Sequence, residues 1–292
     1  MRRNAEAAVT AASAGKGESM QATPEIGKSI RAGGALTNYH EAGQGTPVIL
    51  IHGSGPGVSA WANWSRTIPS LAEHFHVFAY DQLGFGYTEL PRENRYGLEQ
   101  WTEHLLDFMR AVGVAQAHLI GNSMGAAIAL AVAVKHPEVV DRLVLMGAAG
   151  VRFPLTDGLD AVWGYTPSIA NMRGLLDIFA YNRELVTDEL AELRYKASIR
   201  PGMQEAFSSM FPAPRQQGVD DLAAYENRLG EIHAPALVIH GRDDRVIPLS
   251  TSEKLLHTLE NVQLHVFGHC GHWTQIEHAA AFNRLVQDFL ME

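Results

Sequence analysis

The chain has 292 residues, 46% of them hydrophobic and 19% charged, with 23 Lys and Arg against 32 Asp and Glu for a formal net charge of -9. This is a globular composition, long enough to bury about three quarters of its unfolded surface without disulfide or metal staples. No Lys/Arg cluster offers the phosphate neutralisation that nucleic-acid affinity needs, and no apolar run reaches the ~18 residues of a membrane span, so a nucleic-acid partner is disfavoured and an integral membrane protein excluded.

Taken in chain order, residues 1–24 open with Met1-Arg2-Arg3 and continue through Ala, Ser and Gly. Glu6, Thr10 and Ser13 interrupt the stretch and it lacks the apolar core of a signal peptide, which predicts a disordered tail. Short aliphatic or β-branched runs bounded by turn residues follow at 48–51, 76–80, 118–120, 143–146, 237–240 and 264–267; they read as buried parallel strands. Between them, Leu98, Trp101, Leu105, Phe108, Met109 and Val112 recur at spacings of three and four and predict one apolar helix face. Strands alternating with helices mean an α/β fold, with a mostly parallel central sheet and helices on both faces. The alternation stops between Gly150 and about Gly218, where Trp163, Tyr165, Phe179, Tyr181, Tyr195, Phe207 and Phe211 mix with prolines, and resumes at Ala236. The predicted organisation is a core of residues 25–150 and 219–292 with a helical cap, 151–218, inserted before the last strands.

Gly121-Asn122-Ser123-Met124-Gly125 lies between the run ending at Ile120 and a small-residue helical pattern. That is the context of a nucleophile elbow, a sharp strand-to-helix turn that presents a serine hydroxyl at the carboxyl end of the sheet. A serine is a weak nucleophile at neutral pH and needs a base, which in turn needs an orienting carboxylate. Chain order in such folds is serine, acid, histidine. The acid falls in Arg242-Asp243-Asp244-Arg245, with Asp244 preferred over Asp243 by its distance from Gly241. The base falls among His269, His272 and His278, with His272, framed by Gly271 and Trp273, preferred. His265, His269 and His272 do not complete a metal-ligand set, so neither metal nor cofactor is predicted.

His52-Gly53-Ser54-Gly55-Pro56-Gly57 follows the first parallel strand pattern. Gly53 and Gly55 allow close backbone approach to a ligand, and the loop amides supply half of an oxyanion hole whose other half is the N–H of Met124. His118 and His240 read as packed, hydrogen-bonded histidines within strands. The lone Cys270 reads as a small buried filler; without an intrachain partner it fits a reducing compartment, as it would also fit a disulfide-free secreted enzyme.

With these residues in place the chain resembles the meta-cleavage product hydrolases, carbon–carbon bond hydrolases of the α/β-hydrolase fold. The likeness runs from about Pro24 to Phe289 through HGSGPGVSAWANW at 52–64, LGFGY at 83–87, GNSMG at 121–125, GLDAVWGY at 158–165, ELAELRYKASIRPG at 189–202, MFPAPRQ at 210–216 and CGHWTQIEHA at 270–279. Several of these segments lie in the cap, which α/β-hydrolases at large do not share. The resemblance implies a triad of Ser123, Asp244 and His272, oxyanion amides at Ser54 and Met124, and substrate contacts at Asn63, Asn122, Arg200 and Trp273. It also implies a small-molecule 2-hydroxy-6-oxo-dienoate substrate and a cytoplasmic homo-oligomer, dimer or larger. Ala126 and His269 depart from the family pattern, which commonly has glycine and glutamine there. Two other readings stay open: a carboxylesterase-type serine hydrolase, which would not need Arg200, and a non-catalytic ligand-binding protein, which the intact Ser, Asp and His disfavour.

Overall fold

The computed structural model describes residues 23–93 and 95–292. The predicted tail therefore lies outside the described residues except for Thr23 and Pro24. The chain runs β1 (Lys28–Ala32), β2 (Ala35–Ala42), β3 (Pro47–Ile51), α1 (Ala60–Trp64), α2 (Ile68–Leu71), β4 (His76–Tyr80), α3 (Leu98–Ala111), β5 (Ala117–Asn122), α4 (Met124–Lys135) and β6 (Val140–Met146). Five helices then follow without a strand: α5 (Asp157–Trp163), α6 (Ile169–Phe179), α7 (Asp188–Ser198), α8 (Met203–Met210) and α9 (Gln216–Leu222). The fold closes with β7 (Ala236–Gly241), α10 (Ser250–Thr258), β8 (Val262–Phe267), α11 (Thr274–Glu277) and α12 (Ala279–Met291).

Strand order is β1-β2-β4-β3-β5-β6-β7-β8 in one eight-stranded sheet. The pairings among β3 to β8 are parallel, whereas β1 and β2 join antiparallel at one edge. Successive side chains along a strand point to opposite faces, so strands covered on both sides must be apolar throughout. Val48, Leu50, Val77 and Ala79 accordingly pack with Trp64, Leu71, Phe282 and Val286 from α1, α2 and α12. Ile49, Ile51, Phe78 and Leu119 pack on the other face with Leu105 and Phe108 of α3 and Ile128 of α4. The α3 stripe is buried as its spacing predicts, except that Val112 is the half-buried residue just past the helix end.

Three features differ from the sequence reading. The β1–β2 hairpin has no apolar run to announce it: β2 buries Thr37 and Asn38 through hydrogen bonds to His104 Nε2 at 2.8 Å and Asp81 Oδ2 at 2.7 Å. Strand β8 is an edge strand, with Val266 38% exposed, and is not buried on both faces. Helical structure before β7 continues through α9 and a 3-10 segment at Glu226–Glu231, past residue 218.

Buried histidines give the fold an acid limit. His52 accepts the Gln82 N–H at 3.0 Å, His104 accepts the Leu83 N–H at 3.2 Å, and burial pushes both down to about 4. The unfolded chain takes up these protons near pH 6.5, so the stabilisation is complete above that pH and is lost as pH falls toward 4. Asp81 works in the opposite sense: burial pushes it up to about 6 against hydrogen bonds from the Ala60 and Tyr87 amides and Asn38, so its contribution declines as pH rises from about 4 to 6. Two histidines outweigh one carboxylate. Unfolding free energy from urea titration is expected to be about 2–3 kcal/mol lower at pH 5 than at pH 7.5; an equal or higher value at pH 5 would contradict this assignment.

Candidate active site

Strand β5 and helix α4 meet at Ser123, whose φ of 56° and ψ of -117° place a non-glycine residue in strained backbone space. The turn survives because its neighbours are small. A Cβ on Gly121 would stand 2.4 Å from the Gly125 carbonyl oxygen, and one on Gly125 2.2 Å from that of Ile51. The Ser123 N–H donates to the Met146 carbonyl at 2.9 Å, and its carbonyl accepts from Ala126 at 3.0 Å and Ala149 at 3.2 Å. These bonds hold the serine while its side chain reaches a cavity.

Asp244 follows β7 and His272 follows β8, so adjacent parallel strands bring them together from 28 residues apart. His272 Nδ1 lies 2.7 Å from Asp244 Oδ2, while Asp244 Oδ1 accepts the Val246 and Ile247 amides at 2.7 and 3.0 Å. Burial opposes ionisation of Asp244, but His272, His240 and the Ile247 amide outweigh it and hold the carboxyl below its usual range. An ionised Asp244 only accepts, so Nδ1 carries the proton and Nε2 is left as the basic nitrogen. Asp243 instead faces Arg242, 3.4 Å away, and the Cys270 amide. His269 is exposed and contacts the Tyr181 hydroxyl at 3.0 Å, and the half-buried His278 stacks on Phe267. His240 is hydrogen-bonded as expected, to Ser252 Oγ at 2.7 Å and the Ile247 carbonyl at 3.0 Å, whereas buried His118 Nδ1, expected to be hydrogen-bonded, makes no hydrogen bond among the described residues and lies 3.3 Å from Asp141 Oδ2. Cys270 is fully buried, and burial pushes its thiol up.

The loop after β3 is fixed by His52. Its Nε2 accepts from Gln82, so Nδ1 is protonated and donates to the Gly53 carbonyl at 2.8 Å. That carbonyl shares a peptide unit with the Ser54 N–H, so the ring sets the direction of the amide. Ser54 Oγ accepts the Trp163 indole N–H at 3.0 Å, tying the loop to the end of α5.

Residues 46–279 match the α/β hydrolase fold family. The chain is 58% identical over 272 residues to a 2-hydroxymuconate semialdehyde hydrolase of Pseudomonas sp. strain CF600, covering 93% of this chain and 96% of that protein. It is 58% identical over 266 residues to a 2-hydroxy-6-oxo-2,4-heptadienoate hydrolase of Pseudomonas putida strain F1, covering 91% and 96%. A crystal structure of a meta-cleavage product hydrolase from Pseudomonas fluorescens IP01, a mutant complexed with acetates, superposes with a TM-score of 0.90 at 58% identity, over 91% of this chain and 98% of that one. The chain belongs to the meta-cleavage product hydrolases of the α/β-hydrolase fold.

In this hydrolase a cavity of about 310 Å³ opens beside Ser123, walled by residues that follow β3 and β8 and by α6 and α7. Ser123, His272, Gly53, Ser54, Gly55, Asn63, Asn122 and Trp273 all line it. Asn63 Nδ2 donates to Asn122 Oδ1 at 3.2 Å, and the Trp273 ring stacks on Phe179 with centroids 5.0 Å apart. Met124 lies outside this lining; with Ser54 and Ser123 it bounds a second, apolar pocket of about 10 Å³.

Arg200 is not brought to the main cavity. It follows the end of α7, its guanidinium lies 3.8 Å over the Tyr87 ring, and it bonds to the Gly86 carbonyl. Arg194, six residues earlier, lines the cavity, and Arg200, named in the sequence analysis as a substrate contact, does not. The signal was available: Leu190, Leu193 and Arg194, at i, i+3 and i+4 of α7, all line the cavity. Thr23 and Pro24, assigned to the tail from sequence, are part of the same wall. Among the described residues no helix is long and apolar enough to cross a membrane.

Proposed function

We propose that this carbon–carbon bond hydrolase acts on 2-hydroxy-6-oxohexa-2,4-dienoates with a small group at C6, converting 2-hydroxymuconic semialdehyde to 2-hydroxypenta-2,4-dienoate and formate in aromatic compound catabolism. One observation carries the reading: Ser123 lines both a cavity that holds the half-buried Arg194 and a pocket of about 10 Å³. The dienoate arm, with its carboxylate, suits the first, where Arg194 offers a charge-assisted fork. The C6 substituent suits the second, whose walls include Ala149, Phe153, Trp163 and Val219. The two relatives named above carry hydrogen and methyl at this carbon of their substrates.

The chemistry assigns roles to the triad. The C2 hydroxyl gives up its proton and C5 gains one, with His272 as shuttle; the resulting C2 ketone is an electron sink. An oxygen nucleophile, Ser123 Oγ or a water it activates, adds to the C6 carbonyl while the Ser54 and Met124 amides receive the developing oxyanion. The C5–C6 bond then breaks, its electron pair passing through C3–C4 to the C2 oxygen, which is protonated. Water supplies the hydroxyl of the departing acid, so the sum is one hydrolysis. Asn63, Asn122 and Trp273 hold the dienoate. Residues 151–218 serve as the cap over this site, and the enzyme works as a cytoplasmic homo-oligomer.

Initial rates on the C6-hydrogen, C6-methyl and C6-phenyl substrates, followed as loss of the dienolate absorbance, test the assignment. The phenyl compound is expected to have a kcat/KM at least ~100-fold below the other two, because a ring does not enter the pocket without moving its walls. A phenyl rate within fivefold of the C6-hydrogen rate would refute the small-substituent assignment.

A further inference from the structure

We propose that Glu25 is a specificity-determining residue that holds down the grip of Arg194 on carboxylates, so that the product, which carries the same carboxylate as the substrate, can leave. The inference rests on the dienoate reading above and adds a residue to it. Glu25 precedes β1, is 5% exposed and lines the main cavity. Its Oε1 lies 3.1 Å from Arg194 Nη1, which also donates to the Gly57 carbonyl at 3.1 Å. An ion pair in the wall of a substrate cavity means that an entering carboxylate meets a guanidinium already shared with another anion.

The acid belongs to the core rather than to the cap. The Glu25 carbonyl accepts Asn38 Nδ2 at 3.0 Å and faces His40 Nε2 at 3.2 Å, so β2 fixes its backbone independently of Arg194. Asn38 also donates to Asp81, placing a second buried acid behind the first. The other cation of the lining, Arg66, is exposed and bonded to the Ile276 carbonyl at 3.1 Å, where solvent screens it. The wall thus pairs the half-buried Arg194 with the buried Glu25 rather than leaving a bare cation. A full, uncompensated charge there would bind substrate and product alike, which lowers KM without lowering the chemical barrier and slows release.

The test is the affinity of sorbate, a hexa-2,4-dienoate without the C2 hydroxyl or C6 carbonyl, measured by calorimetry on the full chain. Glu25→Gln and Glu25→Leu, both uncharged, are expected to bind sorbate about tenfold more tightly than the parent enzyme, and Glu25→Asp to stay within threefold. On the true substrate the uncharged variants should show a lower KM together with a lower kcat, a split that disruption of the site does not produce. Unchanged or weaker sorbate binding would overturn the proposal in favour of Glu25 merely holding Arg194 in place. So would failure of both uncharged variants to fold while Glu25→Asp folds. Sorbate binding needs no turnover, so inactivity on dienoates would sink the functional reading while leaving this comparison intact; turnover without sorbate binding to the parent enzyme would do the reverse.

Discussion

Ser123→Ala is expected to lower kcat on the C6-hydrogen dienoate by about 10³-fold or more while leaving KM within a fewfold of its original value. The substitution removes one oxygen. The backbone bonds from the Ser123 N–H to the Met146 carbonyl and from the Ala126 and Ala149 amides to the Ser123 carbonyl do not involve the side chain, so the elbow and cavity persist. The positive φ at position 123 is offset by the packing of Gly121 and Gly125 against neighbouring backbone, which alanine does not disturb. Steady-state rates beside a urea unfolding curve separate chemistry from stability. A loss below tenfold with an unchanged unfolding midpoint would remove Ser123 from the reaction.

Asp244→Asn should cost kcat about 10³–10⁴-fold, although the side chains are nearly the same shape. Asparagine can keep its oxygen on the Val246 and Ile247 amides, where Asp244 Oδ1 now sits. Its amide group would then point a donor at His272 Nδ1, where Asp244 Oδ2 now accepts at 2.7 Å. The ring would meet that donor only by moving its proton to Nε2, which removes the basic nitrogen. The same variant should lose reactivity toward a serine-directed phosphonate in parallel with kcat. Full phosphonate labelling at the original rate would show that His272 does not depend on this carboxylate.

The parallel half of the sheet was legible because strands covered on both faces are apolar along nearly all their length, as at residues 48–51 of β3 and 236–239 of β7. The elbow was legible for a similar reason: backbone approaches of 2.2 to 2.4 Å to a would-be Cβ leave room for glycine alone at positions 121 and 125. What escaped was decided by polar pairing and by helix ends. Strand β2 hides Thr37 and Asn38 in the interior through specific hydrogen bonds, a partnership that no periodicity announces. Arg194 and Arg200 lie six residues apart in one motif, and only the end of α7 after Ser198 decides that the first meets the cavity and the second stacks on Tyr87. Glu25 carries no motif at all; its place follows from the hairpin that the sequence did not reveal.

Cleavage of a carbon–carbon bond by water is the claim on which the rest depends, and the acid released carries the evidence. With 2-hydroxymuconic semialdehyde in water enriched in ¹⁸O, one formate is expected for each dienoate consumed, its newly formed C–O bond carrying solvent oxygen beyond the label the aldehyde acquires by exchange, and none is expected from Ser123→Ala on the same time scale. Loss of the dienolate absorbance without formate would mean that the enzyme shifts a proton and stops at the ketone, contradicting hydrolysis.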